Sequence, residues 1–249
     1  MTTVDAAPSL PRLTAVELRK LVDTRAGYWL LTVIGLLTAL LVTADLIWES
    51  RDALTLERML GDAVAVPALL LPVLGILLVT SEWSQRTNLV TFALVPNRNR
   101  VAVAKMAAGT LAGASAAVMT LALAAAGKLI VEWAGDAGGW SLRWWYVGNS
   151  AVVLALSVLV GIAFGMALLN SALAIVVYLV LPTLWTVLGA IIPALGRAAD
   201  WLDTTVTMAN LFGPEVTAGT WARLAVSAAV WVALPLAIGL LRVNRQEVS

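Results

Sequence analysis

Cysteine and histidine are both absent from this 249-residue chain, and charged residues of either sign make up only 12% of it. Without cysteine there is no disulfide framework and no thiolate metal site. Without histidine there is no imidazole to ligate zinc or act as general base, which excludes intramembrane metalloproteases and serine–histidine proteases. A G-x-x-x-x-G-K-[ST] phosphate loop is also missing, since Gly127–Lys128 is followed by leucine. ATP hydrolysis by this chain alone is therefore not expected. No apolar core runs to a small-residue cleavage site near the start, so no cleaved signal peptide is expected. No catalytic residue, metal site or nucleic-acid surface emerges from what is left.

What is present is apolar. The chain is 61% hydrophobic with a mean hydropathy of +0.91, against roughly 45–50% apolar residues in a soluble domain. This composition belongs to an all-α polytopic membrane protein. A bilayer core of about 30 Å takes about 20 apolar residues as a helix, and six segments qualify: 26–47, 63–80, 106–131, 146–169, 172–192 and 221–241. No charged residue falls between Arg143 and Arg197. That run is too long for one crossing, and the turn that splits it is expected at Asn170–Ser171. Pro182 and Pro193 fall inside and at the end of the fifth span, where proline kinks or stops a helix.

Charge sets the orientation. With the N-terminus in the cytoplasm, inside segments hold ten of the sixteen basic residues and only five of the fifteen acids. This bias places both termini and the polar segment 81–105 on the cytoplasmic side of the membrane. Trp48, Trp133, Trp140, Trp144, Trp145, Trp201 and Trp221 lie near outer boundaries and Trp29 and Trp83 near inner ones, as an aromatic belt requires. Residues 1–12 read as a flexible cytoplasmic N-terminus and 13–249 as one transmembrane domain. Within it, 14–25 is expected to be an amphipathic helix in the membrane interface, started by a Thr14–Glu17 capping box after Pro11. The outer segment 194–220 reads either as re-entrant or as a simple loop.

Other polar features carry less. Gly109-x-x-x-Gly113 and Gly161-x-x-x-Gly165 let helices approach closely, and packing within one subunit is their expected use. No charge is expected near a span centre; Lys128 and Glu132 read as an i, i+4 pair at an outer helix end. Thr32, Thr38, Thr183, Trp185 and Thr186 are candidate pathway residues, although most such hydroxyls bond their own helix backbone.

The segment Ser81–Lys105 carries the sharpest signal. Glu82 and Arg86 stand four apart, acid first, a favourable helix pair, and a short projecting helix is expected before Pro96. A surface helix, six spans, an E-x-x-x-R-T segment (Glu82, Arg86, Thr87), then P-x-R-x-R (Pro96, Arg98, Arg100) and Lys105 resemble the ABC-2 type membrane subunits of bacterial ABC transporters. The stretch 168–175 resembles that family's tight turn between spans four and five, with Asn170 where members often have Arg. This resemblance implies an exporter-like fold of one interfacial helix plus six spans. It implies that Glu82, Trp83, Gln85, Arg86, Thr87, Pro96, Arg98 and Arg100, with Glu17 and Lys20 of the surface helix, couple to a separate ABC ATPase, present in two copies. ATP and Mg²⁺ would be bound by that partner, and this chain would hold no cofactor. A second permease copy, or a related one, completes the pathway, through which a drug, peptide or lipid would be exported with Thr183, Trp185 and Thr186 along it. Two other readings stay open: an ion- or proton-coupled carrier, and a non-transporting anchor for a cytoplasmic partner.

Overall fold

The computed structural model describes residues 8–50, 53–84, 97–135 and 139–245. Every regular element among them is helical: α1 (Leu10–Asp23), α2 (Arg25–Trp48), α3 (Leu56–Ser84), α4 (Arg98–Trp133), α5 (Trp144–Leu168), α6 (Ser171–Ile191), α7 (Pro193–Leu202), α8 (Thr204–Ala209), a single 3₁₀ turn (Asn210–Phe212), α9 (Ala218–Ala228), a π turn (Ala229–Ala233) and α10 (Leu234–Arg245). Six helices are long and apolar enough to cross a membrane, α9 to α10 counting as one. They match the six expected spans, but most extend beyond the apolar run. With 36 residues, α4 is about 54 Å long at 1.5 Å per residue, so it projects well past a hydrocarbon core of about 30 Å. As a result Arg98 and Arg100, expected in the connecting segment, and Lys105, expected to open the third span, occupy the first turns of α4, and Ser81–Ser84 end α3. The remainder of the connection, 85–96, lies outside the described residues, and with it Gln85, Arg86, Thr87, Pro96 and the expected Glu82–Arg86 pair.

Local signals account for the boundaries. α1 starts at Leu10, with Pro11 in its first turn, where a missing amide costs nothing. The expected capping box at Thr14 and Glu17 does not form. Thr14 sits a full turn inside the helix, where its hydroxyl donates to Leu10 O at 3.0 Å. Thr24 separates α1 from α2 and caps α2 by accepting the Gly27 amide at 3.2 Å. The turn between α5 and α6 falls where expected: Leu169 takes a left-handed φ of 52°, and Asn170 caps α6 by accepting the Leu173 amide at 3.0 Å. Pro235 has no amide for the Trp231 carbonyl, and the helix widens into the π turn just before it.

α5 is the centre of the bundle, packed on α3, α4 and α10. Glycine makes this possible. A β-carbon on Gly161 would lie 1.9 Å from the Pro72 carbonyl oxygen, and one on Gly75 would lie 2.3 Å from that of Val158, so α3 and α5 cross nearly backbone to backbone. Gly109 and Gly113 likewise face Ile162 and Ala155 of α5. Both small-residue motifs are thus consumed by packing within the chain. α2 and α6 are peripheral, and α6 exposes Leu173, Val176, Leu179, Val180, Leu184, Val187 and Leu188.

The segment 194–220, expected as either re-entrant or a simple loop, contains a helical hairpin. After α6 the chain reverses at Pro193, and α7 runs back along α6 with Gly196 against Gly189. The Leu202 carbonyl accepts the Trp231 indole N–H at 2.5 Å and the Ser227 hydroxyl at 3.4 Å, about midway along the last span. The chain then climbs through α8, and the Leu211 carbonyl accepts from Asn149 Nδ2 at 2.8 Å.

Candidate functional site

Four of the chain's few charges meet at the α1 end of the bundle. Lys105, on α4, carries three N–H donors and all are used: Glu17 Oε2 at 2.7 Å, Glu82 Oε1 at 3.1 Å and the Leu78 carbonyl at 3.0 Å. Lys20 closes the ring from α1, donating to Glu17 Oε1 at 2.8 Å and to Glu82 Oε1 at 2.5 Å. Lys105, Glu17 and Glu82 are 3%, 4% and 7% exposed, and only Lys20 reaches solvent. Two cations and two carboxylates leave the cluster neutral, which removes most of the Coulombic cost of burying them. Burial pulls the Lys20 ammonium down, but the Glu17 charge and hydrogen bonds to both carboxylates more than offset this and raise its pKa above the ordinary lysine value.

This arrangement locks α1 to the ends of α3 and α4 that flank 85–96. Arg100 adds a second tie, donating from Nη2 to the Pro8 carbonyl at 2.7 Å, and Asn97 caps α4 through the Arg100 amide at 3.3 Å. Of the residues expected to couple to a partner, the structure brings Glu17, Lys20 and Glu82 together as a buried lock. Trp83, next to Glu82 at the end of α3, and Arg98, at the start of α4, are half-buried. Lys105 stood out in the sequence only as a basic opening to a span. Its role was foreshadowed by its position on a face otherwise made of buried apolar residues, Val101, Ala102, Ala104 and Ala108.

A second feature lies between α3, α5, α6 and the hairpin. A cavity of about 520 Å³ is bounded by Val64 and Pro72 of α3, Ser157 of α5, Thr183 of α6, and Thr204 and Met208. A smaller recess, sharing Val160, Tyr178, Pro182 and Thr204, continues it toward Trp185 and Trp231. The walls are apolar and the polar groups few. Tyr178 spends its hydroxyl on the Leu69 carbonyl at 3.1 Å, in the turn between Pro67 and Pro72. Trp185 Nε1 is buried without an acceptor among the described residues. Thr183 and Trp185 thus line this space; of Thr186 only its place on α6 is described. Thr32 and Thr38 bond the Tyr28 and Ile34 carbonyls of their own helix, the bland use expected of such hydroxyls.

At the far end, Arg143 clamps Glu57 through Nε, Nη2 and its own amide, while its guanidinium lies 4.5 Å from the Trp145 ring centre. The Glu57 hydrogen bonds raise the Arg143 pKa further. Here one expectation fails. Lys128 does not pair with Glu132: Glu132 accepts the Trp140 indole N–H at 2.8 Å, whereas Lys128 is completely buried and its Nζ has no partner among the described residues. Although they are one turn apart, Lys128 sits among the buried residues Ala124, Gly127 and Val131, whereas Glu132 is exposed near the helix end and turns to Trp140. No protein-family model and no curated protein matches the chain.

Proposed function

We propose that this chain is the membrane-spanning permease subunit of an ATP-driven transporter of the ABC-2 type, exporting a hydrophobic or amphipathic compound. The observation that carries this reading is the buried cluster of Glu17, Lys20, Glu82 and Lys105. It makes the surface helix and both helices flanking 85–96 move as one body, which suits a chain that must take up force from a separate ATPase. In this reading the α1 end is cytoplasmic, two ATPase copies dock on 85–96 and the exposed side of α1, and closure of the ATPases tilts α3 and α4 together. The cavity between α3, α5, α6 and the hairpin then changes its access. Its mostly apolar walls, with the hydroxyls of Thr183, Thr204 and Thr205 and Trp185 in the adjoining recess, suit an uncharged or amphipathic cargo. The exposed apolar face of α6 suits lipid or a second permease copy.

The test is purification from gentle detergent followed by reconstitution. A copurifying ATPase, whose hydrolysis rises with cargo in the wild type and loses that response in Lys105→Met, supports the reading. A chain that purifies without any nucleotide-hydrolysing polypeptide and still moves cargo overturns it. Lys128 favours a second reading, because a buried intramembrane cation marks an ion or proton route in many carriers. Transport driven by a proton gradient alone, and abolished by Lys128→Met, would establish that carrier in place of the ATP-driven one.

A further inference from the structure

A cavity of about 420 Å³ opens beside the ion cluster, between α1, the start of α2 and the last turns of α3. Its two halves differ in chemistry. Leu21, Leu74, Leu77 and Leu78 form an apolar floor, while Lys20 and Arg25 stand at the rim. Arg25 is exposed and makes no ion pair among the described residues. The rim coincides with the level at which α2 enters the apolar run, and Tyr28 and Trp29, one turn on, are exposed on that helix as interfacial anchors. The gap has a structural origin. α1 ends at Thr24 and the chain turns sharply into α2, with Gly27 so close to α1 that a β-carbon there would lie 2.0 Å from the Leu21 carbonyl oxygen. The elbow holds α1 off α3 and leaves the wedge open.

We infer that this wedge binds one anionic phospholipid, its phosphate at Arg25 and Lys20 and an acyl chain on the leucine floor. Charge complementarity selects the head group: no carboxylate lines the wedge, the exposed Arg25 makes no ion pair among the described residues, and Lys20, though paired with Glu17 and Glu82, keeps a third N–H to donate. The apolar floor, continuous with the leucines of α3, selects a lipid over a free anion. Bound there, the lipid braces α1 against the lock and reports membrane composition to it. This inference needs only that the helices cross a membrane, so it stands or falls apart from the transport reading.

The experiment uses the full chain purified in detergent, with any subunit that accompanies it. Binding of phosphatidylglycerol, phosphatidylcholine and inorganic phosphate is measured by native mass spectrometry and thermal shift. Phosphatidylglycerol is expected to bind and raise the unfolding temperature, with phosphatidylcholine weaker. Arg25→Ala, an exposed change that leaves the packing intact, should weaken phosphatidylglycerol roughly fivefold, and Leu77→Trp should block the floor and weaken it as well. Equal binding of the two lipids, or wild-type affinity in both variants, overturns the proposal. So does full competition by inorganic phosphate, which would make the wedge a site for a free anion.

Discussion

Lys105 and Lys128 lie on the same helix and both are buried, yet their surroundings make them opposites. Lys105 has three acceptors; removing it leaves two buried carboxylates sharing Lys20 alone, one negative charge in excess, so Lys105→Met is expected to cost about 3–5 kcal/mol, read as a large fall in the detergent unfolding temperature. Lys128 has no acceptor among the described residues, and burying an unpaired polar group is unfavourable. Lys128→Met should therefore stabilise the fold by roughly 1–3 kcal/mol on mutational scales, read as a rise in unfolding temperature; a fall would show that the ammonium is stabilised by something it binds. Lys20 supplies a pH test. Its folded pKa is raised, so its contribution is fully present below the unfolded value of about 10.4 and is lost as pH climbs through the folded value. Wild type should lose stability over that alkaline window more steeply than Lys20→Gln, and parallel pH curves would refute the cluster geometry.

At the level of elements, the contact between α3 and α5 decides the bundle. Gly161 rests on the Pro72 carbonyl, so any side chain there must push two helices apart. Gly161→Val is expected to cost more than the 1–3 kcal/mol typical of overpacking, visible as loss of folded protein in detergent, whereas Gly148→Ala, with nothing within 4 Å of its β-carbon, should behave as wild type. The tight turn offers a milder test: Asn170→Ala removes the cap on α6 and should cost about 1 kcal/mol. Much at this scale was legible. Asn170 announced the turn as the polar residue inside a long uncharged run, and the glycine motifs announced close packing. The α7–α8 hairpin was legible only as one of two alternatives, a re-entrant segment or a simple loop, because 194–220 is only moderately polar and nothing local reveals that Leu202 meets Trp231 on another helix.

For the whole molecule the prediction concerns which way the bundle sits. Because the chain lacks cysteine, single cysteines at Asn97 and Gly139 can be labelled without background, and they should react with an impermeant reagent from opposite sides of sealed vesicles. Labelling of both from one side would overturn the six-span path. Composition and charge spacing alone determined that this is a helical chain with six apolar crossings, since crossing length and backbone satisfaction in lipid depend on local residue runs. Only the tertiary structure decided what the scarce charges do. Glu17, Glu82 and Lys105 are far apart in the chain, and whether a buried charge is paired, as Lys105 is, or orphaned, as Lys128 is, depends on which neighbours the folded helices bring within about 3 Å.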